Sequence, residues 1–163
     1  MTASLSQLDL YGTAYCAQFN FRRTARAMTR MYDVAFKGTK IRSTQFTILI
    51  AVAKAQPAPI SKLASILLID STTLTRTLGK LQKQGFLTVS KRAERRQRFV
   101  NLTEMGVEAL RVSLPGWRAA HERFTKTVGP EFWLTFRSEL ERLAHVAVDL
   151  EAPSEPTPVG SPS

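Results

Sequence analysis

Hydrophobic positions recur mostly at helical spacing along this chain, and the sharpest example lies in residues 70–85. Three leucines there recur at i, i+4 and i+7, which predicts an amphipathic helix with one narrow apolar stripe. Asp70 or Ser71 is placed to cap the start of this helix, and Gly85 to end it in the left-handed region. The opposite face carries small hydroxyls, then positive charge, and no acid: Thr72, Arg76, Gly79, Lys80 and Lys83.

Two β-prone runs follow this helix, at residues 86–90 and 98–102, and the charged segment 91–97 between them has the length of a hairpin tip. From residue 71 to 98 the chain has eight Lys or Arg and one Glu, a local charge of +7. A helix that fits a major groove, followed by a cationic hairpin, is typical of winged helix-turn-helix proteins that bind DNA. The alternative, a solvated helix and a charged loop, does not explain why acids are missing from this one face.

The apolar pattern predicts further helices on the N-terminal side of this segment. One is expected over residues 13–36, and a buried one, capped by Ser43, over residues 44–55. A short third helix is expected to begin at residues 59–61. A tight turn joins it to the helix at Asp70, so that the two form a helix-turn-helix. The second helix is then the recognition helix, which enters the major groove.

A long helix is predicted after the hairpin, with Thr103 as its N-cap. The pair Pro115 and Gly116 predicts a kink or a brief break in its middle. A last helix is predicted over residues 131–148. One side of the long helix is expected to be apolar along its length: Val107, Leu110, Leu114, Trp117, His121 and Phe124.

The predicted fold is therefore mainly α with a small β-hairpin wing, a winged helix-turn-helix with N- and C-terminal dimerisation helices. The helices present more apolar surface than a DNA-binding lobe of 60 residues, 43–102, can cover. We expect residues 13–36 and 103–148 to pack against the same helices of a second chain. Such a dimer places its two recognition helices about one DNA turn apart, which matches a palindromic site. Residues 1–12 are expected to be a flexible N-terminus, and residues 149–163 a disordered tail rich in Pro and Ser.

The composition narrows the range of partners. A net charge of +10 and a pI near 10.4 favour a polyanion, either nucleic acid or an anionic membrane surface. The membrane is disfavoured because the basic residues lie on a hairpin and on a helix that also carries a core stripe. The start of the chain lacks the basic region of a signal peptide and no apolar run is long enough to span a bilayer, so a cytoplasmic protein is expected.

The residue types that support chemistry are sparse. A single cysteine, Cys16, excludes an intramolecular disulfide and a thiolate metal cluster. His121 and His145 lie on separate predicted helices, and no spacing of His, Cys or Asp indicates a metal site. Paired carboxylates, a glycine-rich phosphate loop and a nucleophile with a partner histidine are all missing from the sequence. No enzyme activity, metal or cofactor is therefore predicted.

At this level of detail the chain resembles the MarR family of bacterial transcriptional regulators. The resemblance covers about residues 13–148, and residues 61–106 are its most distinctive part. It implies a homodimeric winged helix-turn-helix repressor, less often an activator, that binds a palindromic operator and is released by a small phenolic ligand or by thiol oxidation. The segments that carry the resemblance are residues 44–46, 60–64, 70–76, 81–87, 95–96 and 102–106.

The wing departs from the family pattern at one position. The family usually carries Asp-x-Arg, in which the acid orients an arginine that enters the minor groove. Here the acid is Glu94, one methylene longer, and Arg96 falls on the position of the minor-groove arginine.

Three classes of DNA contact are predicted. Arg76 is the best candidate for a bidentate guanine contact, and Arg96 for the narrow minor groove of an A·T-rich flank. The residues expected at base edges are Thr72, Thr73, Thr75 and Arg76. The residues expected at phosphates are Ser61, Lys62, Lys83, Lys91, Arg92, Arg95 and Arg98, and Ser71 and Lys80 complete the predicted DNA-binding set.

Two sites of regulation are hypothesised. Cys16 is similar to the sensor cysteine of the hydroperoxide-responsive branch of the family, and Arg22 and Arg23 nearby are placed to lower its pKa; the alternative is an inert residue in a dimer interface. A small-molecule effector site is expected between the dimer helices and the DNA-binding lobe, although the same side chains also suit plain core. Its candidate lining is Phe21, Arg22, Met28, Tyr32, Phe46 and Trp117.

A second function, that of a sequence-neutral architectural DNA-binding protein, shares the positive charge. It needs neither a long buried dimer arm nor a threonine-rich reading face, and both are predicted here. Sequence-specific regulation is therefore the preferred interpretation.

Overall fold

A computed structural model describes residues 10–91 and 97–151, which form a mainly helical chain with a small antiparallel sheet. The chain divides after Ala120 into two compact units. The helices are α1 (Ala17–Ala35), α2 (Ser43–Ala55), α3 (Ile60–Leu67), α4 (Ser71–Lys83), α5 (Glu104–Val128) and α6 (Pro130–Glu151), and the strands are β1 (Ala58–Pro59), β2 (Leu87–Lys91) and β3 (Arg98–Leu102). The predicted winged helix-turn-helix is confirmed.

The sheet has three strands in the order β1-β3-β2, where the sequence predicts only the β2–β3 hairpin. Val100 on β3 pairs with Val89 on one side and with Ala58 on the other. The third strand escapes sequence analysis because it is two residues long and is flanked by Pro57 and closed by Pro59. It ties the segment before α3 to the base of the wing.

The core lies where α2, α3, α4 and the sheet meet. The predicted leucine stripe of α4 is fully buried, with Leu74, Leu78 and Leu81 at 0–1% exposure. Leu49 of α2 and Leu63 of α3 are equally buried against it. Burial of a leucine side chain contributes about 1.5–3 kcal/mol, so this cluster holds the two helices of the helix-turn-helix in a fixed relation.

The first predicted helix begins later than expected. A single 3₁₀ turn covers Thr13–Tyr15, Cys16 is non-helical with ψ 119°, and α1 starts at Ala17. The Asn20 side-chain amide explains the break, because its Nδ2 donates to the carbonyl oxygens of both Ala14 and Cys16 at 3.0 Å. That interaction favours a turn over a continued helix.

The predicted cap of α2 by Ser43 is wrong. Arg42 is the N-cap residue, and Ser43 is the first residue of the helix. The backbone N–H of Ser43 donates to Oδ1 of Asp33 at 2.8 Å, so a side chain of α1 satisfies an orphan donor of α2. This hydrogen bond is the main reason that the pKa of Asp33 lies below its ordinary value.

The cap of α5 by Thr103 is confirmed. The backbone N–H of Gly106 donates to Thr103 Oγ1 at 3.1 Å, and the same hydroxyl donates to the carbonyl of Gly85 at 2.6 Å. Thr103 thus joins the start of α5 to the end of α4.

The body of α5 differs from the predicted helix in two respects. It runs through Pro115 without a break, so the alternative of a brief interruption is wrong. The predicted apolar side is also misplaced at its start, because Val107 is 53% exposed. The predicted Leu110 is buried, and small residues share the buried side with it, since Gly106 lies against the Phe86 carbonyl and Gly116 against the Ala35 carbonyl, where a side chain would overlap backbone atoms. The buried residues of α5 are Gly106, Ala109, Leu110, Ser113 and Ala120.

Helices α1 and α6 contain no buried residue. On α6, Phe132 is 58% exposed and stacks on the exposed Phe136 with ring centroids 5.5 Å apart.

Helix α6 extends to Glu151, so residues 149–151 of the predicted tail are helical. Residues 1–9 and 152–163, which carry the rest of the predicted flexible termini, lie outside the described residues. Within the described ranges, none of the helices is both long enough and apolar enough to cross a membrane.

Candidate DNA-binding surface

The start and end of α4 are fixed as the sequence predicts. Asp70 is the N-cap, and its Oδ1 accepts the backbone N–H of Thr73 at 2.8 Å. Hydrogen bonding by Thr73, through its side chain and its backbone, holds the pKa of Asp70 below the ordinary value. Gly85 has φ 81° and ends the helix in the left-handed region, as predicted.

The side of α4 opposite its leucines faces solvent. We call it the α4 outer face, and it consists of Thr72, Arg76, Gly79, Lys80 and Lys83. Its four side chains are exposed and the helix contains no acid. The salt bridges found in the described ranges, Glu108–Arg111 and Glu139–Arg142, lie on α5 and α6. The cations of α4 are thus available to an external anion.

The threonines of α4 fall into two groups. Thr75 Oγ1 donates to the carbonyl of Ser71 at 2.7 Å, and Thr77 Oγ1 donates to that of Thr73 at 2.9 Å. The hydroxyl proton of Thr75 is therefore used within the helix, and its side chain is half-buried. Thr72 and Thr73 are exposed, Thr72 on the outer face and Thr73 beside it.

A cleft of about 260 Å³ lies beside α4 at the foot of the wing. It brings together four of the predicted DNA-binding residues, Ser61, Ser71, Thr75 and Arg98. Lys62 is exposed on the first turn of α3, and Lys91 ends β2 opposite Arg98 rather than lying in the hairpin tip. The predicted wing contacts Arg92, Arg95 and Arg96, and the departure at Glu94, lie outside the described residues.

A cavity of about 460 Å³ lies between α1, α2 and α5. Three of the six predicted effector residues line it, Tyr32, Phe46 and Trp117, whereas Phe21, Arg22 and Met28 do not. The rings of Phe46 and Trp117 stack with centroids 6.2 Å apart. Burial raises the pKa of Tyr32 above its ordinary value.

Lys54 also lines this cavity and is absent from the predicted set. It lies four residues after Ile50 and eight after Phe46, on the same stripe of α2. This helical spacing was the signal that could have identified it, as a cation at the end of an otherwise apolar stripe.

Cys16 is exposed and directly precedes α1, and its neighbour in the sequence, Tyr15, is exposed as well. In the part of the chain that the structure describes, no group of three or more His, Cys, Asp or Glu side chains is arranged to hold a metal ion.

The sequence and the fold both match known proteins. The model of the MarR family matches residues 41–97. The DNA-bound transcriptional regulator MosR of Mycobacterium tuberculosis is 30% identical, with a TM-score of 0.76 over 83% of this chain and 98% of that one. The chain belongs to the MarR family.

Two further MarR-type regulators extend the comparison. The organic hydroperoxide resistance transcriptional regulator of Bacillus subtilis is 30% identical over 57% of this chain and 65% of its own length. A MarR mutant from E. coli, solved with operator DNA, has a TM-score of 0.73 at 20% identity over 83% of this chain and 99% of that one, and supports the fold alone. The chain spans less than two thirds of the length of the curated relatives it matches. The MarR family match runs from just before α2 into the wing, and so contains the α4 outer face.

Proposed function

We propose that this MarR-family protein is a sequence-specific regulator of transcription that binds a palindromic double-stranded DNA operator as a homodimer. The observation that carries the proposal is the α4 outer face, an exposed helical surface with one threonine hydroxyl, three cations and no acid. A helix of this kind fits the major groove, where hydroxyls and guanidinium groups meet base edges.

The contacts divide by their surroundings. Arg76 lies mid-helix on the α4 outer face and is assigned to a guanine, with Thr72 and Thr73 at neighbouring base edges. Lys80 and Lys83 lie further along α4 and are assigned to phosphates. The cleft residues Ser61, Ser71, Thr75 and Arg98, with Lys62, Lys91 and the wing arginines Arg92 and Arg95, are assigned to the backbone beside the groove, and Arg96 to the minor groove.

The homodimer is supported by the unburied helices α1 and α6. Both carry exposed large apolar side chains, such as Phe19 on α1 and Phe132 on α6, which a second copy would cover. Their charges are complementary. Four arginines and one aspartate give α1 a net charge of +3, whereas five acids and two arginines give α6 a net charge of −3. An α1 of one copy can therefore meet an α6 of the other without like-charge repulsion.

We further propose that the protein represses transcription and is released by a signal. The cavity between α1, α2 and α5 suits an aromatic acid, because aromatic rings line it and Lys54 supplies a cation for the carboxylate. Oxidation of the exposed Cys16 is the second candidate signal, favoured by the likeness to a regulator named for organic hydroperoxide resistance.

The protein is proposed to have no enzyme activity and to work in the cytoplasm, where bacterial DNA lies.

Footprinting tests the proposal. Duplexes that bind the full-length protein are selected from a randomised pool, and the bound region of the winner is mapped by nuclease protection. A regulator protects a palindrome whose half-sites are about one helical turn apart. Diffuse retardation of all duplexes, equally sensitive to salt, would instead favour an architectural protein. Titration of the complex with aromatic acids and with cumene hydroperoxide then separates the two candidate signals, using Lys54→Ala and Cys16→Ser as matched variants.

A further inference from the structure

Gly79 occupies the middle of α4, on the outer face between Arg76 and Lys83. Glycine within a helix destabilises it relative to alanine, because the unfolded backbone loses more freedom and no side chain is gained. The presence of glycine within the helix that is proposed to bind DNA therefore calls for a physical explanation.

The other glycines of the described ranges have a reason within the chain. Gly12, Gly38, Gly85 and Gly129 have φ between 81° and 94°, a backbone region that suits glycine. Gly106 and Gly116 lie against backbone carbonyls where a Cβ would overlap. Gly79 has helical backbone, and a Cβ built on it meets nothing within 4 Å. Nothing in the folded chain excludes a side chain at this position.

We infer that the space at Gly79 is needed by the DNA, and that Gly79 is the point of closest approach between α4 and the floor of the major groove. This inference rests on the proposed function. A helix with its side chains is about 10–12 Å wide and the major groove is about 12 Å wide, so the depth to which the helix enters is set by the side chains on its leading face.

The neighbours of Gly79 fit this role. Arg76 lies one turn before it and Lys83 one turn after it on the same face, and both side chains are exposed. Both are long and flexible, so they can spread to either side while the bare backbone at Gly79 meets the duplex. A methyl group at position 79 would hold the helix away and weaken the base contacts of Arg76.

The test compares stability with affinity in the full-length protein. Gly79→Ala is expected to raise the melting temperature by roughly 2–4 °C, because alanine favours the helix. The same variant is expected to bind the selected operator at least tenfold more weakly, with a smaller loss on random duplex, where the helix is not seated. Gly79→Leu, also a good helix former, is expected to lose more than alanine does, since its larger side chain lifts the helix further.

Gln82→Ala is the control, an exposed change on α4 away from the outer face, and is expected to leave the operator affinity unchanged. If Gly79→Ala melts higher and binds the operator as the wild type does, Gly79 is merely tolerated and the inference is wrong. A lowered melting temperature, or equal losses on operator and random duplex, would also contradict it. None of these outcomes bears on the proposed function as a sequence-specific regulator, which is tested by whether the wild-type protein protects a palindrome.

Discussion

The DNA-binding lobe and the helices α1 and α6 differ in how far each completes its own core. Between α2 and β3, side chains such as Leu49, Leu74 and Val100 are fully buried by their own chain. Neither α1 nor α6 buries a single residue, although both carry aromatic side chains. The lobe therefore completes its core within one chain, with help from residues such as Phe36 and Leu110 outside it, whereas α1 and α6 have apolar surface that an additional molecule would cover.

The largest expected effect is a loss of folding stability when a core side chain of the lobe is truncated. Leu78 is 1% exposed at the centre of the α4 stripe, and Leu78→Ala is expected to lower the free energy of unfolding by about 2–5 kcal/mol, since it removes apolar contact and leaves a cavity. Chemical denaturation followed by circular dichroism measures it. Leu68→Ala, at a lobe residue that is 58% exposed, is the matched control and should change little. Similar losses for the two variants would mean that burial at Leu78 does not stabilise the lobe.

The next effect should appear in association rather than in folding. Phe132 on α6 is 58% exposed, and Phe132→Ala is expected to weaken the homodimer by roughly 2–4 kcal/mol, because a buried interfacial aromatic is a common hot spot. Sedimentation equilibrium measures the dimer constant, and the circular dichroism spectrum should be retained. Arg137→Ala, an exposed residue on another side of α6, serves as the control. An unchanged dimer constant would show that the apolar side of α6 is not the contact between copies.

The two regions also differ in how well the sequence predicts them. Around α4 and the hairpin, periodicity, caps and turn residues agree: the leucine stripe, Asp70, Gly85 and Thr103 have the predicted roles. These signals are local, since each depends on neighbours within a few residues. The α4 outer face follows directly, because it is what remains when the stripe is turned inward.

Errors arise where a partner distant in sequence decides the outcome. The first N–H of α2 donates to Asp33, ten residues away on another helix, and no local pattern contains that information. Val107 is apolar yet exposed, while Gly106 is buried because the Phe86 carbonyl approaches it. The effector cavity shows the same limit, since the sequence predicts six lining side chains between the dimer helices and the lobe, and the packing of three helices brings together three of them.

A substitution at Arg76 tests whether the exposed face of α4 can lose DNA affinity while the core of the lobe keeps its stability. Arg76→Ala is expected to weaken operator binding by roughly 1–3 kcal/mol and to relax the preference at one base pair, because a bidentate guanine contact is lost. Its melting temperature should stay near that of the wild type, since the side chain is exposed. Arg111→Ala removes an arginine that is paired with Glu108 on α5, and it controls for the loss of one positive charge. Equal losses on operator and random duplex would remove Arg76 from the base-reading set.

The smallest effect concerns an attachment between the two regions. Asp33 on α1 accepts the first N–H of α2, and Asp33→Ala is expected to lower the free energy of unfolding by about 0.5–2 kcal/mol, as the loss of a helix cap does. The pKa of Asp33 is lowered in the folded protein, so its charge stabilises the fold above the ordinary pKa of 3.8 and stops doing so as the pH falls through the lowered value. The free energies of unfolding of the wild type and of Asp33→Asn, which keeps an oxygen acceptor without the charge, should therefore differ at pH 6, and the difference should shrink as the pH falls below 3.8. Asp149→Ala, at an exposed aspartate near the end of α6, is the control and should leave the free energy of unfolding nearly unchanged. A difference that stays constant as the pH falls below 3.8 would mean that the charge of Asp33 does not contribute to the attachment of α1 to α2.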